Sequence, residues 1–170
     1  MSPTSSRPDP ALLAATVGTG LMAGLYLAFD VGVMPALARR DDEAFVSAMR
    51  RVNDALDDSA SFGALFLGVF VATGVAARRL RRAERDTAAR RAGAAAVLYG
   101  LSIVVTIGAN LPLNRRLRGA PVAASAAVTA ARAAYERPWR TANAVRTAAC
   151  LGALVLLGDA ARRRAVSRAW

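Results

Sequence analysis

The sequence predicts an all-α fold: a four-transmembrane-helix bundle with a short extracytoplasmic amphipathic helix between helices 1 and 2 and a surface helix between helices 3 and 4. Three long, uncharged apolar runs are the main reason for this prediction. They cover residues 11–29, 59–77 and 92–114, which is 19, 19 and 23 residues. Each run is long enough to cross a hydrocarbon layer of about 30 Å at about 1.5 Å per residue.

A fourth apolar run, residues 141–161, is less clear by itself. It contains Arg146 and Asp159, which leave only 12 uncharged residues between them. Beside three unambiguous runs, it is best interpreted as the last membrane helix of a single domain over residues 11–161. The predicted spans are 11–37, 59–77, 92–114 and 139–161, between a disordered lead, residues 1–10, and a basic tail, residues 162–170.

The charge of the chain also bears on its class. All 23 basic residues are arginine, and the formal net charge is +11, which is common among nucleic-acid-binding proteins. Here, however, seven arginines crowd the short connection between the second and third runs, and four more follow the fourth. By the positive-inside rule this pattern predicts a multi-pass protein of the cell inner (cytoplasmic) membrane with both termini cytoplasmic. It favours the lipid bilayer, and not nucleic acid, as the partner.

The first apolar run has two competing interpretations. Residues 36–38 resemble a signal-peptide cleavage site, but the run before them is too long for a signal core, and Asp30 interrupts its end. The glycine pattern of residues 18–23 resembles a dinucleotide fingerprint, but the chain lacks the strand context that such a site needs. We therefore expect a first membrane helix, in which Gly20 and Gly24 form a smooth patch for a neighbouring helix.

Residues 41–58 predict an amphipathic helix on the extracytoplasmic surface. Acidic residues open the segment, which favours its dipole, and Phe45, Met49, Val52 and Leu56 recur at spacings of three and four. We expect this stripe to pack against the bundle.

Two prolines and an alanine-rich segment shape the second half of the chain. Pro112 is expected to end or kink the third membrane helix. Residues 121–136 predict a separate surface helix, and Pro138 suits the first turn of the fourth membrane helix.

Polar residues from distant parts of the sequence are predicted to meet at the extracytoplasmic end. Asp30 and Arg146 each lie about 10 Å below a helix end, and ionisable groups at such depth mark candidate functional sites. An alternative is structural: Arg146 pairs with Asp30 or extends to the interface, and the amides join helices. The functional alternative is a shared pocket. Its members would be Asp30, Asn53, Asn110, Asn114, Trp139, Asn143 and Arg146, whereas Tyr26, Tyr99 and Tyr135 are expected to be packing or interface residues.

Metal and disulfide chemistry receive little support from the sequence. Cys150 is the single cysteine, so the chain cannot form an internal disulfide, and histidine is absent. Imidazole-based zinc, haem and iron sites are therefore excluded. We predict neither a metal nor a cofactor.

Several motifs resemble the anthrone oxygenase family of small four-helix membrane proteins, whose bacterial members are mostly of unknown function. They are the segment 24–56 with its Val-Met-Pro-Ala-Leu motif, the Asn-x-Pro-x-Asn motif of residues 110–114, and the segment 139–154. The chain departs from the family pattern at Asp30, where a small neutral residue is usual, and at Arg50, where glutamine is usual.

The resemblance implies an oxygenase that converts anthrones to anthraquinones with molecular oxygen, as fungal members do. A small hydrophobic aromatic substrate would then occupy the pocket. Arg146 would stabilise negative oxygen, Asp30 would be the base if any residue is, and Asn110, Asn114 and Asn143 would donate to carbonyl oxygen. The alternative is a non-catalytic protein that holds a lipid, a quinone or a partner protein there. Both leave open whether the chain forms a homo-oligomer.

Overall fold

The computed structural model describes residues 9–84, 86–121 and 124–166, with side chains up to residue 164. Within these ranges all regular structure is helical. The helices are α1 (Pro10–Ala38), α2 (Asp42–Asp57), α3 (Ala60–Arg82), α4 (Asp86–Gly119) and α5 (Ser125–Val166). All but α2 are long and apolar enough to cross a membrane. The predicted four-helix bundle is therefore confirmed.

The helices begin where the sequence supplies side-chain caps. The carboxylate of Asp9 accepts hydrogen bonds from the first backbone N–H groups of α1, and Asp41 and Ser59 do the same for α2 and α3. Such caps satisfy N–H groups that have no partner within the helix.

The four long helices form a ring in which α1 and α4 each pack against both α3 and α5. The helices α1 and α3 pack tightly at Gly18, where a Cβ atom would lie 2.3 Å from Cγ2 of Val69. The smooth patch predicted at Gly20 and Gly24 is wrong in position. A Cβ atom at Gly20 would lie 3.7 Å from Leu154, an ordinary van der Waals distance, and a Cβ atom at Gly24 would have no other atom within 4 Å.

Both α1 and α4 contain one π-helical turn close to a proline. These turns are Phe29–Val33, just before Pro35, and Thr106–Asn110, just before Pro112. A proline ring collides with the carbonyl four residues earlier, and widening the helix there relieves the collision. The helix consequently continues through Pro112 to Gly119, so of the two expected outcomes, an end or a kink at this proline, the end is wrong.

Helix α5 runs without a break from the alanine-rich segment, which was predicted to form a surface helix, into the bundle. Pro138 lies inside it and not in the first turn of a new helix. The predicted surface helix is therefore present as the first turns of α5, and the predicted separation at Pro138 is wrong. Because α5 is continuous, residues before and after Pro138 keep one helical register.

The amphipathic helix α2 covers this end of the bundle, and its predicted apolar face is turned inward. Phe45 and Met49 are fully buried against residues of α4 and α5. Arg132 of α5 fastens the loop before α2: it donates to the carbonyl of Ala38 at 3.0 Å and to the carboxylate of Asp42 at 3.0 Å. Its guanidinium also lies 4.5 Å from the centre of the Phe45 ring.

Candidate functional site

A cavity lies under α2, where all five helices contribute side chains. Its volume is about 50 Å³, and about 500 Å³ of atom-free space is counted when the open solvent at its mouth is included. Its polar lining comes from Asn53, Asp57, Thr106, Asn110, Asn114 and Arg146. Its apolar lining comes mainly from Tyr26, Phe29, Phe62, Phe66 and Trp139.

Arg146 is the cation of this cavity. Its side chain stacks on Tyr26, with the guanidinium carbon 4.3 Å from the ring centre, and lies 5.6 Å from the ring of Trp139. Nη1 donates to the hydroxyl of Thr106 at 3.3 Å, and Nη2 donates to Oδ1 of Asn143 at 2.7 Å. Nε has no hydrogen-bond partner among the described residues, although the residue is only 7% exposed. The site therefore holds a positioned cation with donor capacity left over.

Asn143 lies between Arg146 and Asp30 and connects them. It accepts from the guanidinium through Oδ1 and donates through Nδ2 to Oδ1 of Asp30 at 2.7 Å. Thr147 donates to the second carboxylate oxygen of Asp30 at 2.6 Å. Because guanidinium groups only donate, the orientation of the Asn143 amide is fixed. Asp30 thus balances the charge of Arg146 through an amide, from behind the cavity wall.

A second hydrogen-bond chain meets at Asn114. Its Oδ1 accepts from Nε1 of Trp139 at 3.0 Å and from the hydroxyl of Tyr135 at 3.1 Å. Its Nδ2 donates to Oδ2 of Asp57 at 2.9 Å. Asn53 extends the chain by donating to the Tyr135 hydroxyl at 3.2 Å. Since an indole N–H can only donate, Trp139 fixes the amide so that its NH₂ group faces the carboxylate.

Asp57 is the acidic member of the cavity lining. It is the last residue of α2, so it lies outside the spanning helices. Partial burial raises the pKa of its carboxyl above the ordinary value, while the hydrogen bond from Asn114 and the charge of Arg118 act in the opposite direction. This carboxylate is therefore more basic than a fully solvated one.

Asn110 is the least satisfied polar side chain of the site. It is 1% exposed, and neither its Nδ2 nor its Oδ1 has a hydrogen-bond partner among the described residues. Leaving a buried polar group without a partner costs about 1–3 kcal/mol. An amide presents one donor edge and one acceptor edge, so a bound molecule with an acceptor and a donor side by side would satisfy both.

The structure divides the predicted site residues into two groups. Five of them line the cavity: Asn53, Asn110, Asn114, Trp139 and Arg146. Asp30 and Asn143 lie behind its wall and hold Arg146 in place. The functional roles assigned to these residues from the sequence stay predictions.

Sequence reasoning missed other members of the site. Tyr26 and Tyr135 were expected to be packing or interface residues. In the structure, however, the Tyr26 ring stacks on the Arg146 guanidinium, and the Tyr135 hydroxyl donates a hydrogen bond to Asn114. Asp57 was not singled out at all. Helical spacing could have indicated it, because Asp57 follows Asn53 by four residues and such residues share a face. Tyr99 does pack as expected, with its hydroxyl donating to the carbonyl of Phe66.

No cluster of three or more His, Cys, Asp or Glu side chains that could hold a metal ion is found in the described part of the chain. The polar groups of the cavity are instead amides, hydroxyls, one guanidinium and one carboxylate. Such a set suits an organic ligand that carries oxygen atoms on an aromatic frame.

Comparison with known proteins gives one match. The family model described as "Anthrone oxygenase" matches residues 55–156. No curated protein and no solved structure matches the chain. The matched segment begins in the last turn of α2 and ends within α5, so it includes most of the cavity lining but neither Asp30 nor Asn53.

Proposed function

Because the chain belongs to the anthrone oxygenase family, we propose that it is a membrane oxygenase that acts without a cofactor on a flat phenolic substrate of the anthrone type. The observation that carries this proposal is that the Arg146 Nε–H and the Asn110 amide, both buried and without a partner among the described residues, belong to side chains that line one cavity with aromatic walls. The bilayer would deliver such a hydrophobic substrate.

The chemistry requires only that the substrate be ionised and held. An anthrone that loses a benzylic proton becomes an enolate, which can give an electron to molecular oxygen. The superoxide formed in this way joins the substrate radical at the same carbon and takes up a proton, which gives a hydroperoxide. Loss of the remaining hydrogen on that carbon, with cleavage of the O–O bond, leaves a ketone. The balanced reaction is anthrone plus O₂ giving anthraquinone plus water.

The cavity residues match these needs one by one. Arg146 would bind the enolate oxygen, where its charge stabilises the anion most strongly because water is largely excluded. Asn110 would donate to the same oxygen and accept from a neighbouring phenol. Aromatic side chains of the cavity wall would lie against the ring system.

We also propose the orientation of the protein. The arginine-rich connection between α3 and α4 would lie in the cytoplasm together with both termini, which places the cavity near the extracytoplasmic face. Large apolar side chains such as Val71, Val97 and Val155 are 61%, 74% and 71% exposed on the outside of the bundle. Lipid chains would cover them.

A second candidate function uses the same cavity without chemistry. Asn110 and Arg146 would equally satisfy the carbonyl oxygen of a quinone or of a lipid headgroup. This candidate predicts tight binding of the anthraquinone and no oxygen consumption.

One experiment separates the two functions. Purified protein in lipid nanodiscs is given 1,8-dihydroxyanthrone in an oxygen electrode, and spontaneous oxidation is subtracted. The oxygenase predicts uptake of one O₂ per anthraquinone formed and its loss in Asn110→Ala and Arg146→Gln. Uptake no faster than without protein, combined with anthraquinone binding, would leave the binding function.

A further inference from the structure

Three carboxylates lie close together at the end of α2, and their partners differ. Arg118 binds Asp54 at 2.7 Å and Asp58 at 3.7 Å, both on the outer surface. Asp57 instead turns to the cavity, where Asn114 donates to its Oδ2. Its Oδ1 accepts no hydrogen bond within the described ranges of the chain. One carboxylate oxygen therefore remains available at the cavity.

The chain of hydrogen bonds behind Asp57 has one direction. The Asn53 amide donates to the Tyr135 hydroxyl, which donates to Asn114, which donates to the carboxylate. Successive donors polarise one another, and the chain ends on the group that carries the negative charge. This arrangement holds the Asp57 carboxylate in a fixed position in its ionised form.

Asp30, the other acid near the site, has a different environment. Both of its carboxylate oxygens accept hydrogen bonds from α5, from Asn143 and from Thr147, and it does not line the cavity. It acts as a positioning residue for Arg146, through Asn143. A bound substrate would contact Asp57 without breaking any hydrogen bond that the protein makes.

The cavity itself points to a ligand, independently of these acids. Asn110 is 1% exposed and has no partner for either atom of its amide among the described residues. We propose that Asp57 is the general base of the site and takes the benzylic proton of a substrate whose oxygen is held by Asn110 and Arg146. This proposal rests on the proposed oxygenase function and adds a residue to it.

The proton-transfer step balances without any further reagent. The benzylic C–H bond breaks and its proton passes to Oδ1 of Asp57. The electron pair moves through the ring to the carbonyl oxygen, which becomes an enolate beside Arg146. Asp57 is an exposed residue at the end of α2, so it then releases the proton to water outside the bundle. Asp57 thus takes the proton at one end of the substrate, and Arg146 stabilises the negative charge that develops at the other end.

The electrostatic surroundings favour this role. Burial raises the pKa of the Asp57 carboxyl, and so does the neighbouring charge of Asp58. The hydrogen bond from Asn114 and the charges of Arg118 and Arg146 lower it. Burial has the largest effect on this pKa. The rate of proton removal is therefore expected to rise with pH, with a midpoint above the ordinary aspartate pKa of about 3.9.

The test measures proton removal without oxygen. Protein in nanodiscs is incubated anaerobically in D₂O with 1,8-dihydroxyanthrone, and loss of the methylene proton signal is followed by NMR. We expect wild type to accelerate the exchange and Asp57→Asn to slow it by about 10²- to 10⁴-fold, the usual contribution of a general base. Asp58→Asn removes the same charge one residue away and is expected to change the rate less than about two-fold.

Two further measurements distinguish catalysis from folding. Asp57→Glu restores a carboxylate one methylene away and is expected to regain part of the exchange, and the pH dependence seen in wild type should disappear in Asp57→Asn. Thermal midpoints show whether each variant is folded.

The possible outcomes separate the two proposals. If wild type consumes oxygen and Asp57→Asn exchanges as fast as wild type, the base assignment is overturned while the oxygenase function stands. Equal loss in Asp57→Asn and Asp57→Glu with unchanged pH dependence would also overturn it. If wild type neither exchanges protons nor consumes oxygen, the proposed function fails and the base assignment fails with it.

Discussion

Replacing Arg146 by glutamine should reduce the oxygenase rate by about 10²- to 10³-fold. The guanidinium uses Nη1 on Thr106 and Nη2 on Asn143, and its Nε has no partner among the described residues. That N–H is therefore a donor available to a developing oxyanion. Removing one preorganised donor of this kind costs about 2.7–4 kcal/mol in the transition state, which corresponds to the rate loss given.

The Arg146→Lys variant separates charge from geometry. An ammonium keeps the positive charge but cannot stack on Tyr26, a contact that is worth about 0.5–2 kcal/mol. The expected loss is therefore smaller, roughly ten-fold.

The assay for both variants is oxygen uptake with 1,8-dihydroxyanthrone, fitted for kcat and KM, because loss of an interaction made only in the transition state lowers kcat. Arg140→Gln is the matched control: Arg140 lies on the same helix and contacts Glu136 at the surface. A folded Arg146→Gln protein whose kcat stays within about three-fold of wild type would refute the oxyanion role.

Three further predictions concern stability. Asn110→Leu removes a buried amide that has no partner among the described residues. It should therefore raise the free energy of unfolding by about 1–3 kcal/mol and abolish ligand binding. A lower thermal midpoint would argue against this. Gly18→Val should separate α1 from α3 at Val69 and lower the midpoint, whereas Gly24→Ala, with nothing within 4 Å, should be tolerated. Equal thermal midpoints for Gly18→Val and Gly24→Ala would show that α1 and α3 are not tightly packed at Gly18. Arg132→Ala should speed amide hydrogen exchange in α2 more than in α4.

Much of the fold could be predicted because its causes are local in the sequence. Run length and the absence of charge predict a spanning helix, and the spacing of Phe45 and Met49 predicts which face of α2 is buried. These properties depend on the chain within one helix. They hold whatever the neighbouring helices do.

The prolines show where local rules stop. Pro112 was expected to end or kink its helix and Pro138 to lie in the first turn of a new one, but both lie in helices that continue. A proline removes one backbone hydrogen bond, but packing against neighbouring helices can hold the helix together through a widened turn. Whether that packing is available is a tertiary question, which the sequence around the proline does not answer.

The site shows the same division. Asn110, Asn114 and Arg146 could be selected because polar groups are costly in apolar helices and therefore conspicuous. Trp139 shares a helix face with Arg146, and Asn53 lies on the surface helix that was expected to cap the cavity. Asp57 was not conspicuous, since it lies in an acid-rich surface segment where carboxylates are unremarkable. In the structure, the hydrogen bond from Asn114 and its place in the cavity lining distinguish it from Asp54 and Asp58, which pair with Arg118.

The sequence alone determined that four helices are suited to a bilayer, that a fifth lies across one end, and that polar side chains collect there. Hydrophobicity and helical periodicity are enough for this because each acts along a single segment. The tertiary structure decided which acid lines the cavity, which tyrosine ring stacks on the guanidinium and which amide has no partner among the described residues. Those outcomes depend on distances of about 3 Å between residues far apart in the chain, and such distances are set only when the helices pack.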